Sequence, residues 1–160
     1  MRPYKIISLF GLFLTLISVL YSCDALRVFE ENKAIENGQW NAGAPVVFNV
    51  EVDDTLSANT FYLNLRHEEA YPYSNIFLFL HTKFPNGKEA QDTLELTLQR
   101  PDGKWNGSGA GGLRDHQIAF KKSLRFPLKG KYVFSITQAM RVKELENVRE
   151  VGLRIEKSKQ

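Results

Sequence analysis

At 160 residues, with 43% apolar side chains, the chain is long enough for one domain with a sizeable core. Its 21 basic and 18 acidic residues leave a formal charge of +3, too small to suggest a nucleic-acid binder. The single cysteine excludes an internal disulfide.

The first segment reads as export machinery. Arg2 and Lys5 form a short positive region, followed by a largely apolar run of fifteen residues, Ile6 to Leu20. That run is short for a membrane span and suits a secretory signal. It ends in Leu20-Tyr21-Ser22-Cys23, a small residue directly before the lone cysteine, as in the lipobox of bacterial lipoproteins. Residues 1–22 are therefore expected to be removed and Cys23 to become a lipidated N-terminus. Two acyl chains on its thioether and a third, such as palmitate, on its amine would hold firmly, since each buried methylene contributes about 0.8 kcal/mol. Cleavage also removes two cations, so the mature domain is nearly neutral at +1.

Beyond Cys23 the dominant signal is period-2 alternation, which places apolar side chains on one face of a strand. Residues 23–40 read as a tether plus an early edge strand over Arg27 to Ile35. Pro45 to Val52 sets Val46, Phe48, Val50 and Val52 on one side, and Thr60 to Arg66 does the same with Phe61, Leu63 and Leu65. Ile76 to Leu80 is apolar throughout and is expected to be a central strand covered on both faces. Thr93 to Gln99 turns Leu94, Leu96 and Leu98 inward. Gln117 to Phe126 alternates until Lys121-Lys122-Ser123, where a bulge would restore register. Lys131 to Gln138 alternates through Tyr132, Phe134 and Ile136, Val142 to Arg149 is expected to make a short helix, and Val151 to Ile155 is a last strand.

Turn chemistry separates these runs: Asp53-Asp54, Pro72, Pro85-Asn86-Gly87, Pro101-Asp102-Gly103, and Pro127 with Gly130. About eight short strands at regular spacing predict an all-β fold, an antiparallel β-sandwich over residues 41–160, jelly-roll-like or Ig-like. The glycine-rich stretch 107–112 fits G-x-G-x-x-G, but it lies between a proline turn and a strand and has no acidic residue about twenty positions on. A nucleotide site is rejected, and a long exposed loop at one end of the sandwich is expected, with Trp105 near its base and Arg114 beyond it.

Catalytic signals are sparse. His67, His81 and His116 are far apart and read as solvated loop residues; Asp53-Asp54 and Glu68-Glu69 read as solvated turn charges. No cofactor, no metal ligand set and no enzyme are expected. Tyr71, Tyr73 and Trp105 either cap the open end of the core or, with Arg114, form an exposed interaction surface; exposed rings could stack on a glycan or anchor a protein. Charge is also uneven, −7 over residues 23–98 and +8 over 99–160. Either the halves attract within the fold, or a basic face awaits an acidic partner or lipid headgroups.

One ordered series goes further. The lipobox cysteine, then Phe61-Tyr62-Leu63-Asn64-Leu65-Arg66, Tyr71-Pro72-Tyr73-Ser74-Asn75, Phe84-Pro85-Asn86-Gly87, Asp92-Thr93-Leu94-Glu95, Pro101-Asp102-Gly103-Lys104-Trp105, Gly107-Ser108-Gly109 and Val151-Gly152-Leu153-Arg154 together resemble the gliding-motility lipoprotein GldH family of Bacteroidetes. The resemblance implies a non-enzymatic cell-envelope lipoprotein linked to gliding machinery and type IX secretion, with other envelope proteins as partners. An outer-membrane anchor facing the periplasm is the expected location. Only Cys23 carries over, as the lipid attachment site. A glycan-binding sandwich lipoprotein is the alternative.

Overall fold

The apolar alternation is realised almost strand for strand in the computed structural model, which describes residues 25–159. The expected signal peptide and Cys23 lie outside the described residues. In chain order the strands are β1 (Arg27–Ala34), β2 (Gln39–Asn41), β3 (Val46–Val52), β4 (Asn59–Glu68), β5 (Asn75–Lys83), β6 (Glu89–Thr97), β7 (Leu113–Leu124), β8 (Gly130–Gln138), β9 (Glu144–Glu146) and β10 (Val148–Lys157).

Two four-stranded antiparallel sheets stack face to face. The first has the order β1-β10-β4-β7 and the second β3-β8-β5-β6, while β2 and β9 pair separately at one end. Apart from the β5–β6 hairpin, successive long strands alternate between the two sheets, the connectivity of an eight-stranded jelly roll. That settles the choice between jelly-roll and Ig-like topologies.

The core is what the alternation requires. Phe61, Leu63 and Leu65 of β4 and Val151, Leu153 and Ile155 of β10 face Phe48 and Val50 of β3, Leu78 and Leu80 of β5, and Phe134 and Ile136 of β8, all buried. Each such side chain contributes roughly 1.5–3 kcal/mol. Phe61 touches Phe120, Phe126 and Phe134 at ring separations of 5.5–6.2 Å, which ties the two sheets together at one end of the sandwich.

The bulge expected in the seventh strand is present. Phe61 faces Lys121 whereas Tyr62 faces Ala119, so Phe120 is an extra residue; a second slip follows at Ser123, where φ is +54°. Two other expectations fail. Val142 to Arg149 is not a helix: Leu145 of β9 pairs with Trp40 of β2, Asn147 reverses the chain at φ +65°, and Val148 already belongs to β10. Leu145 and Val148 are fully buried, and their three-residue spacing imitates a helix face that pairing with β2 overrides. Nor is Ile76–Leu80 covered on both faces. β5 is interior to its sheet, yet Phe79 on the outer side is 40% exposed.

The two ends of the sandwich differ in what they carry. At one end lie the entry to β1, the β3–β4 loop, the Phe84–Lys88 turn, the β7–β8 connection and the C-terminal residues. The Lys157 amide donates to the Leu26 carbonyl there, and the Ser158 amide to that of Ala58. At the other end lie β2 and β9, the β4–β5 loop and the glycine-rich loop. The ten residues of β4 separate the two ends by roughly 30 Å.

The opposite charges of the two halves meet inside the fold. Glu30 pairs with Arg154, Asp54 with Lys157 at 3.0 Å, Glu69 with Arg114 at 2.8 Å, and Glu68 with Arg149. Lys121 reaches Asp92 across the gap between β7 and β6 at 2.5 Å.

Candidate functional site

The inward-facing row of β4 ends in a histidine. Phe61, Leu63, Leu65 and His67 point into the sandwich in succession, and His116 enters beside them because it stands opposite Leu65 on β7. Both are buried, at 0% and 5% exposure, so neither is the solvated loop histidine expected from the sequence. Their rings stack at 4.9 Å between centroids, with the two Nε2 atoms 2.9 Å apart.

The hydrogen bonds assign the protons. His67 Nδ1 lies 2.7 Å from the Glu68 carbonyl, which only accepts, so Nδ1 carries the hydrogen. The lone pair on His67 Nε2 then accepts from Nε2–H of His116. Burial pushes the His67 imidazole below its ordinary value. Burial and then the neighbouring His67 bring His116 down to about 4. The pair is neutral at ordinary pH.

Aromatic rings enclose it. Trp105 sits edge-on to His67 at 4.6 Å and Tyr71 lies 5.0 Å away; Tyr73 packs edge-on against Tyr71 at 5.8 Å. Tyr71 is 4% exposed and its hydroxyl donates to the Asn75 carbonyl at 3.1 Å, with burial holding the phenol well above its ordinary pKa. As an exposed interaction residue Tyr71 is therefore corrected: it caps the core. Tyr73 and Trp105 are half-buried.

The glycine-rich loop closes over the same pair. Ser108 and Asp115 exchange backbone hydrogen bonds of 3.0 and 2.7 Å, laying the loop against β7. A Cβ on Gly107 would stand 2.6 Å from both the Asp115 carbonyl and His116 Nε2, so only glycine fits there. The loop is exposed at its tip, as expected, and its glycine content has a packing reason.

Outside the rings, an open groove of about 570 Å³ is lined by Glu69, Arg100, Lys104, Trp105 and Arg114. Arg114 is fixed by Glu69 and by the carbonyls of Leu113 and Gly109, at 3.1 and 3.3 Å. Of the four residues proposed from sequence as an interaction surface, Trp105 and Arg114 line this groove, Tyr73 packs half-buried against Tyr71, and Tyr71 is interior. The histidines were missed because their contact joins positions 49 residues apart; their place on the apolar phase of each strand was the available signal.

A second groove, of about 370 Å³, crosses the outer face of the first sheet. Asn64 donates to Asn32 and to Glu30 at 3.0 Å, and Gln117 donates to Asn64 at 3.2 Å. Arg66 bridges Asp115 at 2.6 Å and Glu150 at 2.7 Å. The Asn32 amide lies directly over Gly152, occupying the space of a Cβ there. Among the described residues no group of three or more His, Cys, Asp or Glu side chains could hold a metal ion, and no helix is long and apolar enough to cross a membrane.

Comparison with known proteins follows the chain nearly end to end. It is 36% identical over 160 residues to a protein of Christiangramia forsetii named "Gliding motility lipoprotein GldH homolog", covering 94% of this chain and 98% of that one. It is 35% identical over 153 residues to the "Gliding motility lipoprotein GldH" of Flavobacterium johnsoniae, covering 91% and 94%. Among solved structures, the non-crystalline cellulose specific carbohydrate-binding module CBM28 aligns over 78% of this chain and 71% of that one, with a TM-score of 0.40 and 9% identity, a likeness too distant to carry any argument. The family model described as "GldH lipoprotein" matches residues 27–155. With a match over the whole sandwich and two relatives above one-third identity, this chain belongs to the GldH lipoprotein family.

Proposed function

We propose that the protein is a lipid-anchored component of a gliding-motility apparatus in the cell envelope, acting through interactions and not by catalysis, and associated with type IX secretion. The observation that carries this reading is the near full-length similarity to two relatives named as gliding motility lipoproteins. The lipobox ending at Cys23 supports the anchor, and an outer-membrane position facing the periplasm fits it. The basic groove along Trp105 and Arg114, at the end of the sandwich away from the chain entry, is the surface assigned to partner proteins.

The test is genetic and biochemical together. A deletion strain should lose gliding and secretion, and the wild-type gene should restore both. Cys23→Ala should leave the mature protein in the soluble fraction with no acyl mass and should fail to complement. A deletion strain that glides and secretes normally would overturn the functional reading. A Cys23→Ala protein that still sediments with membranes would overturn the anchor. Polysaccharide retention that is lost with Trp105→Ala, while gliding persists, would instead favour the glycan-binding alternative.

A further inference from the structure

We infer that the chain-entry end of the sandwich lies against the lipid surface, where its basic loops bind anionic headgroups and its apolar tips enter the interface. The inference rests on the lipid anchor at Cys23 proposed above and adds an orientation to it. Cys23 precedes Arg27, the first residue of β1, by four residues, whose reach is at most about 14 Å. An anchored domain on so short a tether must present this end, or a flank beside it, to the bilayer.

The chemistry of that end fits the contact. Lys88, Lys122, Arg125 and Lys129 are exposed and make no ion pair among the described residues. The carboxylates there are largely used: Asp54 by Lys157, Asp92 by Lys121, and Glu89 by His81 and Lys83. Asp53 and Glu51 remain unpaired, and Glu51 stands directly across from Lys131 on β8. The opposite end shows no such excess: Arg100 and Lys104 lie beside Asp102, Arg114 on Glu69 and Arg149 on Glu68, and among the described residues Glu36, Glu144 and Glu146 make no ion pair there to offset Arg141 and Lys143. Cations held near an anionic leaflet attract over about a Debye length, so the polarity of the charge orients the domain.

Apolar exposure is concentrated at the same end. Four large apolar side chains are exposed among the described residues: Leu56 at 83%, Leu124 at 43%, Phe79 at 40% and Val28 at 39%. Leu56 stands on the β3–β4 loop, Leu124 at the end of β7, and Val28 one residue into β1, so three of the four share the chain-entry end. Leu56 has no core role, because its loop is held by the Asp54 carboxylate accepting from the Leu56 and Ser57 amides at 2.9 and 3.0 Å. An 83% exposed leucine on a loop at the end that carries the unpaired cations has the composition of an interfacial anchor. A protein partner is less well matched, because the tether already places lipid there.

Acylation of the single cysteine leaves the mature chain without a free thiol, which permits site-specific labelling of the whole lipidated protein. Spin labels at Leu56→Cys and Ala110→Cys are compared on the lipidated protein floated with vesicles of phosphatidylethanolamine and phosphatidylglycerol. The Leu56 label should collide more with oxygen than with a water-soluble nickel chelate, and the Ala110 label the reverse. Replacing Lys122, Arg125 and Lys129 by Glu should return the Leu56 label to the aqueous pattern while the protein still floats and its melt is unchanged. A floating protein whose two labels are equally aqueous overturns the docking. A Leu56 label indifferent to the triple replacement overturns the role of anionic headgroups. Protein that does not float and carries no acyl mass overturns the anchor, and the docking with it.

Discussion

His67 and His116 share one hydrogen bond, Nε2 to Nε2 at 2.9 Å, inside the far end of the sandwich. The bond requires a particular set of protons: Nδ1–H on His67 and Nε2–H on His116. A proton added to His67 Nε2 would set two N–H groups against each other across that distance. The groups facing the pair are Tyr71 from the β4–β5 loop, Trp105 from the glycine-rich loop, and Arg114 and Asp115 from β7.

This arrangement makes stability depend on pH. His116 falls from an ordinary 6.5 to about 4 on folding, and His67 is lowered too, so between these values the unfolded chain binds more protons. The contribution is fully present above pH 6.5 and is lost as pH falls towards 4. For His116 alone it amounts to roughly 3 kcal/mol. Denaturant midpoints measured across that window should fall with acid, and His116→Gln should flatten the dependence. Equal slopes in both proteins would refute the account.

Gly107→Ala tests the contact between the loop and the histidine pair. Its new methyl group would meet the Asp115 backbone carbonyl at 2.6 Å, and a strand backbone yields little. The expected cost is about 1–3 kcal/mol, read as a lower melting temperature. Ala110→Ser, on the exposed tip of the same loop, should leave the melt unchanged.

Tyr71 separates capping from surface roles. Tyr71→Phe keeps the buried ring and removes only the hydrogen bond to Asn75, at a cost of about 1 kcal/mol. Tyr71→Ala empties a core site and should cost about 3–5 kcal/mol. Chemical denaturation distinguishes the two. Any partner or glycan binding lost in Tyr71→Ala but kept in Tyr71→Phe is then a folding effect.

Arg154 is held on the first sheet between Glu30 and Glu156, with 12% of its side chain exposed. Burial raises the Glu30 carboxyl, but hydrogen bonds from Asn64 and Arg154 outweigh it and leave the group below its ordinary value. Arg154→Met would leave the Glu156 carboxylate without its guanidinium and Glu30 with Arg27 alone, at 3.3 Å, at a cost of roughly 3 kcal/mol. Adding Glu30→Gln to that variant should recover part of the loss. A double variant no more stable than the single would show that the carboxylates do not repel.

Much of the fold was legible locally. Alternation in Val46–Val52, Thr60–Arg66 and Lys131–Gln138 reports which face of each strand meets apolar neighbours, and burial follows the same phase. The bulge near Lys121-Lys122-Ser123 was legible for the same reason, as a break in phase. Val142–Arg149 was misread because Val142, Leu145 and Val148 fit a helical spacing as well as a short strand, and only β2 chooses between them.

By itself the sequence determined most of the long strands, the turns between them and the family resemblance, because each is written in neighbouring residues or in an ordered series of them. Tertiary structure alone decided the jelly-roll order, since alternation says which face is buried and not which edges pair. It alone decided that His67 and His116 meet, through a register joining residues 49 apart. And it gathered Leu56, Leu124 and the unpaired lysines at the end where the chain enters, because antiparallel pairing returns distant loops to one edge of the sandwich.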